Sequence, residues 1–449
     1  MPFDFHNRDR MESWIDELKE LRYRCLREIG EFEWYSDAGE IGSRQPGDLE
    51  SPEKVGKGFA WSGWDRYNWL CTRVEVEEEL VREAADGDIV GLFDFGVREG
   101  TGNNSHFESL LYVNGEPYQG VDGNHKEVFF PIEETGRTLD LKFRVWSGLC
   151  GGGRPHDMHM RIVRAQIGIM DRATDDFYYL ARTALDTYDL LPKESEYKEW
   201  LLGRLTKAFR LVDYTEPGDA AFYESIRQAY EFLAEELQGN GKPDVTVTML
   251  GHTHIDVGWL WRVRHTREKA ARSFSTVNRL MEKYPSYQFL QSQAQLYEFI
   301  KTDYPDIYEH IRKRVSQGRW EPSGAMWVEC DCNLTSGESI IRQILVGKQF
   351  FRQEFGYNNT FLWLPDVFGY SWALPQILKK SGVETFMTTK ISWNDTNQLP
   401  FDTFLWKGMD GSLLTTHFIT TTDEGSSSYT YNGDTRPYAV KGVWDNYKN

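Results

Sequence analysis

Beyond residue 244 the sequence alternates short β-rich runs with stretches of helical spacing, and this alternation restricts the fold more than any other feature. The candidate strands are VTVTML (245–250), YQFLQS (287–292), FLWLP (361–365), ETFMTT (384–389) and LLTTHFI (413–419). Helical spacing lies between them, near 267–284, 305–317, 336–355 and 372–381, and Thr335 with Glu338 makes the pattern of a capping box for the third. Strands joined by crossover helices run parallel, with the helices packed outside the sheet. Residues 244–449 are therefore expected to form one α/β domain.

The texture upstream is different. From 58 to 170 short alternating runs such as TRVEVE, DIVGLFDFGV and LKFRVWSGL dominate, and the Asn114-Gly115 pair between apolar runs signals a tight hairpin. The expectation there is an antiparallel β-sandwich. Trp14, Ile15, Leu18, Leu21, Cys25 and Ile29 recur at helical spacing, and 36–57 is rich in Gly, Pro, Ser and charge, so 1–57 reads as an N-terminal helix and linker. Helical patterns around 174–190, 195–211 and 219–237 make 171–243 a helical connector. The fold class is multidomain α+β.

A chain of 449 residues exceeds the roughly 100 to 200 that one core usually serves, which agrees with this division. The formal net charge of −18 opposes phosphate backbones and anionic membranes, so neither nucleic acid nor membrane is expected as a partner. Five scattered cysteines read as reduced thiols. The opening MPFDFHNRDRMESW has no apolar signal core, and no run of about 18 apolar residues occurs. A cytoplasmic location is expected, and a homo-oligomer is compatible with all of this.

Two groups of residues stand where strands end at their carboxyl edge, the place where α/β folds gather functional side chains. The first is His252, His254 and Asp256 in MLGHTHIDVGWLW (249–261). Alternate residues of an extended segment point the same way, so these three can face one point, and imidazole nitrogen with carboxylate oxygen is a donor set that zinc accepts. The bland alternative is a histidine that caps a strand end. The second is Asp366, which closes TFLWLPD; Ser371 is the better-placed N-cap for the helix that follows, so capping does not explain the aspartate. Trp259, Trp261, Trp363, Phe368, Tyr370 and Trp372 neighbour the two groups. Singly such rings are core residues; around carboxylates they suit a wall for a sugar face.

These segments resemble glycoside hydrolase family 38, the retaining α-mannosidases. GHTHIDVGWLW is similar to that family's first zinc motif and WLPDVFGYS to its nucleophile motif, while GRWEPSGAMWVECDCNLTSGESIIRQ, TTKISWNDTN and PFDTFLWKGMDGS resemble the subgroup of bacterial, fungal vacuolar and animal cytosolic members. The resemblance implies an incomplete (β/α)7-type barrel over 244–449 and hydrolysis of terminal α-linked mannose from oligosaccharides through a covalent glycosyl-aspartate. It implies Zn2+ as cofactor, with His254, Asp256 and Asp366 as ligands and Asp366 also the nucleophile. Trp259 and Phe368 match positions that line the sugar, and Lys390 falls near a basic substrate-side position. His252 is then not a ligand, although spacing leaves it open. The family's general acid, in a GDGGGG-like motif, and a later His ligand have no counterpart before Asn449, so the chain is expected to be a piece of a longer protein, inactive alone. Asp395, Asp402 and Asp410 read as loop residues rather than substitutes.

Two rival readings remain at this stage. A barrel amidohydrolase would use His252 and His254 with further histidines, for which only His265, His310 and His417 follow. A non-catalytic glycan-binding protein would use the aromatic-rich 58–166. Cys330-Asp331-Cys332 lacks the partners a metal site needs and reads as structural.

Overall fold

The computed structural model describes residues 7–37, 39–46, 52–96, 107–152, 154–238, 245–394, 396–397, 399–421, 430–431 and 433–447. It is a mixed α/β structure with several sheets and, among the described residues, no closed barrel.

Two antiparallel sheets occupy the N-terminal half. One runs Glu53–Val55, Phe32–Ser36, Tyr67–Glu75, Thr138–Trp146, Glu108–Val113, Glu116–Asp122; the other Tyr23–Glu28, Arg164–Asp171, Gly87–Asp94, Glu127–Phe129. They share one core, to which Leu70, Leu111 and Phe143 come from the first sheet and Ile89, Phe93, Ile167 and Ile169 from the second. Asn114 and Gly115, at φ 53° and 90°, make the hairpin turn that joins Glu108–Val113 to Glu116–Asp122.

The reading of 1–57 as helix and linker needs correction. The helix ends at Leu21, and Cys25, assigned to its face, stands in the strand Tyr23–Glu28. That strand carries a register shift between Arg24 and Arg27, which breaks the period of two by which strands are recognised. Phe32–Ser36 and Glu53–Val55 extend the larger sheet. The helix Asn7–Leu21 packs Met11, Ile15 and Leu18 against Phe177, Leu185, Leu205 and Phe222 of the connector helices Arg172–Leu190, Glu196–Phe209 and Ala220–Leu237. Asp171 and Asp219 cap two of these by accepting from the amides of Thr174 and Phe222.

The larger sheet is apolar on both faces. Leu70 and Leu111 point into the shared core, while their neighbours Trp69, Leu110 and Tyr112 pack with Ala270, Phe274 and Val277 of the helix Val263–Lys283. At Gly120 sheet and helix approach too closely for a side chain, since a Cβ there would lie 2.9 Å from Thr276 Oγ1 and 3.0 Å from the carbonyl of Arg272.

In the C-terminal half, where an incomplete (β/α)7-type barrel was expected, the described strands form two separate sheets. Gly251–His252, Phe289–Gln291 and Trp320–Pro322 form one, all parallel. Phe361–Leu364, Thr385–Thr388 and Leu413–Phe418 run parallel in the other, which Thr403–Lys407 joins antiparallel. Past Trp320–Pro322 and Ser323, Gly324 and Ala325 adopt left-handed backbone at φ 95° and 64°, which no extended strand continues through. Residues 245–250, expected as a strand, are irregular, with Val245, Val247 and Met249 exposed. Their Val/Thr alternation supplies propensity, but among the described residues no partner strand pairs with them. The helix Gly337–Phe355 is capped by Ser336 rather than Thr335, because the Ser336 hydroxyl accepts from the Ser339 amide. All five cysteines are free. No helix among the described residues is long and apolar enough to cross a membrane.

Candidate active site

Five strands of the two C-terminal sheets deliver side chains from their carboxyl ends to one place. Gly251–His252 leads into His254 and Asp256, Phe289–Gln291 into Ser292, Trp320–Pro322 into Glu329, Phe361–Leu364 into Asp366, and Thr385–Thr388 into Lys390. Asp256 owes its position to the buried Trp261, whose indole N–H donates to the Asp256 carbonyl at 3.2 Å, and to the Thr266 hydroxyl, which donates to the same carbonyl at 2.8 Å.

The imidazole of His254 is the centre of the cluster. Its Nε2 lies 3.3 Å from Asp256 Oδ1 and 3.3 Å from Asp366 Oδ2, and its Nδ1 lies 2.8 Å from Glu329 Oε2. Burial alone would discharge this ring, but Glu329, Asp256 and Asp366 outweigh it and push its pKa up to about 12. Burial would likewise raise Asp366, yet His254 and Lys390 hold it below its ordinary value. Lys390 Nζ stands 3.1 Å from Asp366 Oδ1. The Tyr431 phenol, raised by burial and by Asp366, hydrogen-bonds the same carboxylate, and its ring lies 4.9 Å from that of His254.

One ligand atom each from His254, Asp256 and Asp366 can be chosen so that all lie within 4.8 Å of one another. An imidazole nitrogen with two carboxylate oxygens is a donor set that suits zinc, and three acids around one imidazole leave negative charge that a dication would neutralise. The residues therefore fit the metal that the resemblance implies. Burial, with His254 second, pulls the pKa of His252 down to about 3, and its Nε2 faces Ser292 Oγ at 3.4 Å instead of the cluster.

Around the cluster Trp259, Phe368, Trp372 and Trp393 are exposed, whereas Trp261, Trp363 and Tyr370 are mostly packed inside. Phe368 and Trp393 meet at 5.8 Å, and the Lys390 ammonium sits over both rings. The histidines a barrel amidohydrolase would need lie elsewhere: His265 pairs with Asp65 at 2.6 Å and stacks on Trp146, His310 is on the helix Pro305–Ser316, and His417 faces Thr403 at 2.9 Å. Asp402 is buried, Asp410 holds a turn through Ser412, and Asp395 lies outside the described residues. Cys332 packs with Ile340 and Leu362 in a core cluster. Glu329, Ser292 and Tyr431 escaped the sequence reading; the glutamate alone left a trace, a lone acid in the apolar run AMWVEC.

Fold and site together define an α/β protein with a His-Asp-Asp metal-type cluster at the carboxyl ends of its strands, flanked by exposed aromatic rings. Residues 244–449 match the N-terminal domain of the glycosyl hydrolases family 38, and this part of the chain belongs to that family. It is 37% identical over 333 residues to Alpha-mannosidase G of Dictyostelium discoideum, covering 70% of this chain and 30% of that protein. To Alpha-mannosidase 2C1 of Mus musculus it is 33% identical over 387 residues, covering 82% and 35%. To Alpha-mannosidase of Saccharomyces cerevisiae it is 38% identical over 220 residues, covering 46% and 20%. The matches span a third or so of the length of the first two relatives.

Proposed function

We propose that this chain carries the nucleophile and three zinc ligands of a retaining exo-α-mannosidase that releases terminal mannose from oligosaccharides. The observation that supports this reading most is the placement of Asp366, with one oxygen 3.3 Å from His254 and the other 3.1 Å from Lys390. His254, Asp256 and Asp366 would hold zinc, and the bound ion would gather vicinal hydroxyls of a mannose ring as a Lewis acid. Trp259 and Phe368, both exposed, offer flat faces for the C–H side of the sugar.

Asp366 is kept ionised by its two cationic neighbours and so can attack an anomeric carbon. The new bond joins a carboxylate oxygen to that carbon while the glycosidic C–O bond breaks, and the departing oxygen takes up a proton from a general acid. Water then displaces the ester, passes a proton to a base and returns Asp366 as carboxylate with the configuration retained.

Fluoride departs without protonation, so a 5-fluoro-α-mannosyl fluoride tests the first step by itself. With zinc present, mass spectrometry should find one glycosyl group on the peptide containing Asp366, absent in Asp366→Asn. A zinc-loaded, folded chain in which Asp366 stays unlabelled would overturn the proposal.

A further inference from the structure

The function proposed above leaves the first histidine of the motif, His252, and the buried acid Glu329 without a task. We infer that His252, Ser292 and Glu329 form a buried relay that fixes the ring of His254, with Glu329 as the positioning residue. The inference rests on His254 being a metal ligand.

Counting donors assigns each proton. A neutral imidazole that binds a cation through Nε2 must carry its hydrogen on Nδ1 and needs an acceptor there. Glu329 Oε2 lies 2.8 Å from that Nδ1 as an ion-pair contact, and neither atom has a hydrogen-bond partner among the described residues, which leaves each as the buried group nearest to satisfying the other. The second carboxylate oxygen, Oε1, is occupied: the Ser292 hydroxyl donates to it at 2.5 Å. A hydroxyl has one hydrogen, so toward His252 Nε2, 3.4 Å away, Ser292 presents only an acceptor. His252 must then carry its proton on Nε2, and its ring is pinned 5.1 Å from that of Trp363. The order is His252 to Ser292 to Glu329, with the far oxygen of Glu329 on His254.

The backbone holds the relay in register. The Glu329 amide donates to Gln293 Oε1 at 3.2 Å, and Gln293 Nε2 donates to the carbonyl of Ile255 at 2.8 Å, between His254 and Asp256. Gln293 pays for this position with left-handed backbone at φ 66°. Glu329 cannot itself be a fourth ligand at the same point, because it faces Nδ1 while Asp256 and Asp366 face Nε2 on the other side of the ring.

The test measures zinc affinity of the 449-residue chain by competition with a chromophoric chelator, together with the visible absorption of the cobalt-loaded chain. Glu329→Ala is expected to weaken zinc by about 10- to 100-fold, as loss of a carboxylate behind a histidine ligand does, with Glu329→Gln less affected. Ser292→Ala should weaken it by less and shift the cobalt spectrum, while Asp331→Asn, next door and exposed, should do neither. Wild-type affinity in Glu329→Ala, with affinity lost in His254→Ala, overturns the relay and leaves the site reading intact. Wild-type affinity in His254→Ala overturns both. If Glu329→Ala does not fold, Ser292→Ala decides: a folded chain with unchanged affinity and spectrum overturns the relay.

Discussion

Lys390 and Asp366 form an ion pair of 3.1 Å inside a cage of three rings, with the ammonium 3.6 Å from the Trp393 centroid, 5.1 Å from that of Phe368 and 5.3 Å from that of Tyr431. The rings shield the pair from water and leave the ammonium a strong hold on Asp366 Oδ1. A hydrogen bond to a charged group contributes roughly 1.5–3 kcal/mol. Lys390→Met should therefore slow glycosyl labelling of Asp366 by about tenfold to a hundredfold. Lys390→Arg should not restore it, because a planar fork does not fit a cage shaped for a compact cation. A labelling time course equal to wild type in Lys390→Met would show that the lysine is not needed.

Arg144 carries support from the larger sheet to the helix behind the site. Its Nε lies 2.7 Å from Asp37, its Nη1 2.8 Å from Glu268, and its Nη2 donates to the carbonyl of Glu40 at 2.6 Å. Arg144→Met would leave two buried carboxylates without their cation, and breaking a buried pair from one side costs about 3–5 kcal/mol. Urea denaturation should register a loss of that order. A loss below about 1 kcal/mol would mean that the pair is wetter than its burial indicates.

Which parts of this were legible in the sequence follows from how each residue is positioned. His252, His254, Asp256 and Asp366 stand out because they follow runs that read as strands, so chain direction points them to one edge; spacing keeps His252 in that group, and only the family resemblance sets it aside. Glu329 and Tyr431 arrive on irregular segments whose placement depends on tertiary packing, and no periodicity marks them. The error at 245–250 has the same root, since alternation records a preference for extended backbone while a strand needs a neighbour to pair with. The strand Tyr23–Glu28 was hidden by its register shift and by Cys25 and Ile29, which continue the helical spacing of Trp14, Leu18 and Leu21.

A pH effect separate from the site is expected at Asp122, which ends the strand Glu116–Asp122. Burial opposes its ionisation, but His125 and the amides of Asn124 and His125 prevail and lower its pKa from 3.8 to about 2. The folded value is the lower one, so this contribution is complete above the unfolded value and disappears as pH falls from about 4 toward 2. His125 is raised, so its share is present below its ordinary 6.5 and fades as pH rises through the higher folded value. Asp122→Asn keeps the turn's acceptor and removes the charge. It should cost about 1–2 kcal/mol near pH 6 and flatten the acid limb of the stability curve. Guanidinium midpoints at three acidic pH values compare the two chains; parallel acid limbs would refute the assignment.

The loop that carries Glu329 depends on a glycine outside the site. A Cβ on Gly347 would lie 2.5 Å from the carbonyl oxygen of Ala325, 2.5 Å from the carbonyl carbon of Met326 and 2.7 Å from the amide of Trp327, all of them backbone. That backbone is tied to the same helix, Gly337–Phe355, because the Trp327 amide donates to the Gln343 carbonyl at 2.9 Å and the Val328 amide to the Gln343 side chain at 2.9 Å. An added methyl cannot be absorbed by a rotamer, so loop and helix must separate, and overpacking of this kind costs about 1–3 kcal/mol. Gly347→Ala should lower the denaturation midpoint and weaken zinc binding in the direction of Glu329→Ala, although it touches no ligand. Gly203→Ala, in the helix Glu196–Phe209 with open space around the new Cβ, should instead be neutral or raise stability by about 1 kcal/mol through helix propensity. If Gly347→Ala kept both the stability and the zinc affinity of the wild type, the loop would be shown to place Glu329 without the help of the helix.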